Sequence, residues 1–200
     1  LFVDEIVGNT GTAVTIPNLS GTNTIATGAK IAGTDTGSIY APGMPIQVLS
    51  YTFADHIQIT STNFTGMIKD NCNITPKFSN SKILVRVSLQ CNHDNNHSGL
   101  VRVYRTIGGS TTTIGENNAD HGAYWTHVWF NVRSVSTESL NSHSGEYMDS
   151  PATTSQITYA VRGMTTGDAE GLCVNRTRAD TAHVNQTPAF SAVTLMEIAQ

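Results

Sequence analysis

The sequence predicts an all-β protein: an antiparallel β-sandwich of jelly-roll type, preceded by an extended Gly/Thr-rich arm. Three observations predict it. In residues 79–91, Ile83, Val85, Val87, Leu89 and Cys91 share one parity while Arg86, Ser88 and Gln90 share the other. That alternation marks a half-buried strand, because successive strand side chains point to opposite faces. Eight or more such short runs succeed one another with Gly, Pro, Asn and Asp turn signals between them, the pattern of a sandwich or jelly roll. No stretch sustains the 3.6-residue period of a helix.

Composition narrows the function. Two hundred residues suffice for a buried core, and only 13% are charged, with a net charge of −4. Thr, Ser, Asn and Gly fill the polar positions instead, as on exposed sheet faces and in turns. There is no basic block of the kind that binds nucleic acid, so no nucleic-acid partner is expected. The apolar runs fall far short of the ~20 residues of a membrane helix, so neither membrane insertion nor a secretory leader is expected. Three cysteines, Cys72, Cys91 and Cys173, lack the even count and tight spacing of a disulfide framework. They read as buried, reduced thiols, with Cys72 and Cys91 of suitable parity to meet.

In chain order, residues 1–45 stand apart. Leu1-Phe2-Val3-Asp4-Glu5-Ile6-Val7 has the composition of a short apolar contact segment, and Gly and Thr dominate residues 8–40. Such a segment buries little within a monomer but suits winding along a neighbouring chain. Ala41-Pro42-Gly43-Met44-Pro45 punctuates the chain, giving an arm at 1–45 and a knob domain at 46–200. Strands are expected at 46–53, 56–60, within 64–74, and over the central run. Residues 100–105 are expected to form a hairpin with that run, since 92–98 is a short polar connection. Further strands are expected at 111–114, 123–132, 157–162, 171–175 and 192–198.

Several stretches resemble the virion appendage proteins of marine tailed phages, notably cyanophages. They are the opening residues 1–6 with Val14-Thr15-Ile16-Pro17, then Asn73-Ile74-Thr75-Pro76 followed by 79–87. Asp149-Ser150-Pro151-Ala152-Thr153-Thr154-Ser155 with Tyr159, and Val193-Thr194-Leu195-Met196-Glu197-Ile198, complete the set. The resemblance implies a non-enzymatic structural protein of a phage virion, a tail-fibre or minor structural protein. It implies a trimer with a jelly-roll-like knob, located in the virion and serving host attachment. A capsid decoration (cement) protein, its arm laced over neighbouring subunits and other virion proteins, is the alternative within that class. A glycan-binding receptor module is the alternative outside it.

Chemistry narrows the candidate sites. Cys91, His93, Asp94 and His97 include metal-capable groups, but their spacing matches no common zinc site and Cys91 has core parity, so no metal is expected. His93 or His97 converging on a three-fold axis is the minority alternative. Ser98-Gly99 lacks the Gly-x-Ser-x-Gly elbow of a nucleophilic serine. Glu138, Glu146 and Asp149 are the carboxylates a glycosidase would need to pair, yet they sit in a polar, turn-rich stretch. No catalytic residue and no cofactor is expected. Host-surface glycan is the ligand class best suited to loop residues Asn95, Asn96, Asn117, Asn118 and Asp120, since binding groups sit on loops carried by a rigid scaffold.

Residues 123–132 carry the oligomer argument. Tyr124, Val128, Phe130 and Val132 share one parity; Trp125, His127 and Trp129 share the other. Large residues of both parities imply cover on both faces of a strand. A neighbouring subunit would cover the second face, so a homo-oligomer is expected, with Trp125, His127 and Trp129 near its interface.

Overall fold

The computed structural model describes residues 41–94, 96–115, 127–134, 136, 138–167, 171–179 and 189–200. Eleven strands occur among them, and no helix. They are β1 (Pro45–Phe53), β2 (Ile57–Ile59), β3 (Gly66–Ile74), β4 (Lys82–Asn92), β5 (Gly99–Ile107) and β6 (Ser110–Ile114). Next come β7 (Phe130–Val132), β8 (Asn141–Asp149), β9 (Ile157–Thr165), β10 (Leu172–Val174) and β11 (Ser191–Ile198).

Every pairing is antiparallel, in two sheets. In the first, β1, β11, β4 and β8 lie side by side, and the short β10 and β2 extend it beside the last residues of β4. In the second, the order is β3, β9, β5, β6, with β7 sharing the β5 edge end to end with β6. The long strands therefore alternate between sheets along the chain, except that β5 and β6 form a hairpin. This is the strand order of a jelly roll.

The core is the layer between the sheets. Ile83, Val85, Val87, Leu89 and Cys91 of β4 are all fully buried, while Lys82 and Arg86 of the other parity are exposed. Across the layer stand Ile68, Cys72, Val101, Val103, Ile157, Tyr159 and Val161 of the second sheet. Each large aliphatic so buried contributes about 1.5–3 kcal/mol.

Two expectations need correction. The first is the β4–β5 hairpin: β5 pairs with β9, β6 and β7, so residues 93–98 cross from one sheet to the other. A short polar connection fits an arch over the core as well as a hairpin, and the arch turns the apolar faces of both strands toward each other. The second is the length of the strand expected at 123–132. Residues 123–126 lie outside the described residues, and His127 has a φ of 58°. That left-handed backbone breaks a strand, so β7 begins only at Phe130. Of the expected arm, only 41–45 is described: Gly43 N donates to Ala199 O and Pro45 already opens β1.

Candidate functional site

Two places gather polar or exposed groups that a core does not explain. One is the crossing of residues 93–98. His93 is fully buried, and its Nδ1 accepts the backbone N–H of Asp94 at 2.8 Å. The proton then sits on Nε2, which donates to the Thr165 hydroxyl at 2.9 Å, and that hydroxyl donates to Gly167 O at 2.8 Å. Asp94 accepts from the His97 backbone at 2.6 Å and from His97 Nδ1 at 2.9 Å. Partial burial raises the Asp94 pKa, but the two His97 hydrogen bonds and the nearby imidazoles outweigh it and hold the carboxyl at about 2.

Histidine, carboxylate and hydroxyl thus lie in a row, but the row is not arranged to activate a nucleophile. A general base accepts the hydroxyl proton, whereas His93 donates to Thr165. The arrangement fastens the β4–β5 crossing to the end of β9. Asn92 adds to it, its Nδ2 donating to Ser136 O at 2.9 Å and to Ser139 O. Among the described residues no group of three or more His, Cys, Asp or Glu side chains is gathered for a metal ion.

The other place is the outer face of the first sheet. The register aligns Val48 of β1 with Met196 of β11, Met196 with Leu84 of β4, and Leu84 with Met148 of β8. Four apolar side chains thereby form one row across four strands on the solvent side. Val48 is 52% exposed and Met148 43%. Lys82 and Arg86, two residues to either side of Leu84 on β4, are exposed on the same face. Glu146 stands opposite Arg86, and Ile198 opposite Lys82. Farther along, Ser88, Gln90 and Ala192 with Ala189 and Phe190 line an open hollow of about 400 Å³. Ser142 donates to Gln90 Oε1 at its side, and the Phe190 ring is 68% exposed.

Of the residues expected to contact glycan, Asn96 is exposed in the crossing, its backbone N–H on Asp94 Oδ1 at 3.1 Å. Asn95, Asn117, Asn118 and Asp120 lie outside the described residues, as does Trp125. His127 and Trp129 precede β7. Trp129 is half-buried by its own chain: Nε1 donates to Ile114 O at 2.9 Å, and the ring lies 6.5 Å from those of Phe130 and Tyr147. The candidate glycosidase carboxylates diverge. Glu138 and Glu146 are exposed, whereas Asp149 is buried, held by Arg105 Nη1 and the Tyr159 hydroxyl at 2.7 Å each. Cys72, Cys91 and Cys173 are buried free thiols, and Cys91 lies beside Cys173 at the β4–β10 pairing. Burial pushes the Cys72 thiol up to about 12 and Cys91 higher still.

Sequence reasoning missed the row as a site. Its signal was the apolar residue at a wet parity: Leu84 between Lys82 and Arg86, and Met196 and Ile198 against Val193 and Leu195.

Fold and face together define the class: a jelly-roll module with an apolar row on its outer sheet. No protein family and no curated protein matches the chain. Among solved structures it is similar to the VP2 subviral particle of infectious bursal disease virus, at 15% identity and a TM-score of 0.41 over 86% of this chain and 43% of that one. A structure of T=1 particles derived from the same virus gives 14% identity and a TM-score of 0.39, covering 86% of this chain and 41% of that one. The Gx strain of the virus gives 12% and 0.37, covering 86% and 47%. The chain spans less than half the length of these proteins.

Proposed function

We propose that this chain is a non-enzymatic structural subunit of a virion, assembling as a homo-oligomer, most simply a trimer, in a fibre or spike that serves host attachment. The observation that carries the reading is the Val48–Met196–Leu84–Met148 row. A solvated antiparallel sheet alternates apolar with polar, and this face departs from that along a line that crosses all four strands, where a contact would form. The phage-like stretches at 73–87 and 149–159 bring the virion into the reading. The jelly roll is also a common fold of capsid and lectin domains, an analogy of fold and not of site. Localisation by electron microscopy of labelled protein on purified particles tests it, with light scattering giving the oligomer mass. Presence on a tail appendage and a three-fold mass are expected. Presence on the head would favour the decoration role, and absence from particles would end both.

A second reading, binding of host-surface glycan, is favoured by the hollow beside Phe190. An exposed ring offers a stacking face, and Gln90 and Ser88 offer hydrogen bonds, the pairing a pyranose needs. Phe190→Ala should abolish retention of the protein on host cells or lipopolysaccharide while leaving its melting temperature unchanged. Equal retention by that variant would return the attachment role to the loops at Asn95 and Asn96.

A further inference from the structure

We propose that the Val48–Met196–Leu84–Met148 row is the receptor for residues 1–7 of a second copy of this chain. The inference rests on the structural-subunit reading and names the contact through which copies join.

The row and the segment are complementary in composition. Leu1-Phe2-Val3 and Ile6-Val7 are apolar on either side of Asp4-Glu5, the densest acidic point of the first forty residues. On the body, an apolar line is flanked on β4 by Lys82 and Arg86, both exposed on the same face as Leu84. Four strands at 4.7–4.9 Å spacing make the line roughly 14 Å long, the span of four or five extended residues. A segment of seven therefore lays apolar side chains along the whole line and brings its two carboxylates within reach of the two cations. Glu146, opposite Arg86, is the one acid on the same rows, and it leaves Lys82 to the incoming segment.

Length supplies the second argument. Residues 8–40 join the segment to Ala41, and Gly43 and Met44 are tied to Ala199 at the end of the body where the row lies. The 33 residues of that connection can span at most roughly 110 Å, more than one domain's width. The connection is therefore long enough to reach a neighbouring copy, and an exchanged segment is a low-cost route to an oligomer.

Cross-linking in the full chain tests this. The three native thiols are buried, so an introduced cysteine reports alone. Phe2→Cys and Val48→Cys, placed on separately tagged copies and co-expressed, should give a mixed covalent dimer under mild oxidation. The yield should be at least tenfold above that of Phe2→Cys with Ser155→Cys, an exposed position on the loop before β9. Asp4→Lys with Glu5→Lys should cut the yield about tenfold, and Lys82→Glu with Arg86→Glu should restore it. Equal yields at Val48 and Ser155 would overturn the proposal. So would Val48→Cys homodimers, which would put two rows face to face. Closure of a doubly substituted Phe2→Cys/Val48→Cys chain on itself, with no mixed dimer, would overturn it as well. Failure here with the parent still oligomeric on particles removes only this contact; a monomer absent from particles removes the structural reading itself.

Discussion

Asp149 ties the two sheets together through a single carboxylate. It projects inward from β8, accepting from Arg105 on β5 and from Tyr159 on β9. In sequence Asp149 sits in a polar, turn-rich stretch, and the acid's inward parity becomes meaningful only once β8 is placed beside β4. Arg105→Ala leaves a buried carboxylate short of its cation, and about 3 kcal/mol of stability should be lost. Tyr159→Phe removes one hydrogen bond and should cost about 1–2 kcal/mol. Urea denaturation of both variants measures this; equal, small losses would mean the carboxylate is reached by water. Glu197 plays a similar part on the other side of β4, both acids standing in register with Ile83. Fully buried on β11, it accepts from Gln47 Nε2 at 2.6 Å and from the Lys77 backbone at 2.7 Å. Glu197→Ala takes away the acceptor for both, and a loss of about 1–3 kcal/mol is expected in the same measurement.

Strands were legible in this sequence wherever alternation was strict, and illegible where backbone geometry intervened. β4, β9 and β11 follow their parity patterns because the two-residue period is a local property of an extended chain. Partner choice is not local: the same polar connection serves a hairpin or an arch, and β4 and β5 took the arch. The segment before β7 misled for a related reason. Alternating large residues read as a strand with two covered faces, yet the positive φ at His127 turns the chain, and Trp129 reaches back to Ile114 O. The apolar row was equally hidden, since it exists only when four strands are brought into register. Glycine positions make the same point. Gly171, with φ +65°, opens β10, and a Cβ there would lie 1.9 Å from Ile59 O. Gly171→Ala therefore combines strain with a backbone clash at the β10–β2 pairing, and more than about 1 kcal/mol should be lost. An unchanged melting temperature would mean that β2 yields freely.

For the whole molecule, the β1 boundary decides what a truncation removes. Deleting residues 1–40 spares Gly43 and Met44, whose backbone bonds to Ala199 extend the β1–β11 ladder. The shortened chain should melt as the parent does but fail to join particles. A large drop in melting temperature would place the arm within the core.

The pH dependence of stability is set by a few groups that burial or hydrogen bonding displaces. Burial lowers the His143 pKa below its ordinary 6.5, so the unfolded chain takes up that proton first. Stability is full above about pH 6.5 and declines as pH falls through that value toward the folded pKa. Asp94 adds a second decline. Its carboxyl, ordinarily near 3.8, is held at about 2, so the stability it supplies is present above about pH 4 and is lost as pH falls toward 2. On the alkaline side the signs reverse. Burial raises Cys72 to about 12 from 9.0, and raises Tyr159, with the Asp149 charge adding to the effect. The unfolded chain loses those protons first, and stability declines above about pH 9. A melting-temperature profile should thus be flat from about pH 7 to 9 and fall on both sides. His143→Leu should flatten the step between pH 5 and 7, and Asp94→Asn the one between pH 4 and 2. A parent-like slope between pH 5 and 7 in the His143 variant would assign that step to another group. Slow alkylation of all three thiols in the folded protein at pH 8, made rapid by unfolding, should accompany the flat region.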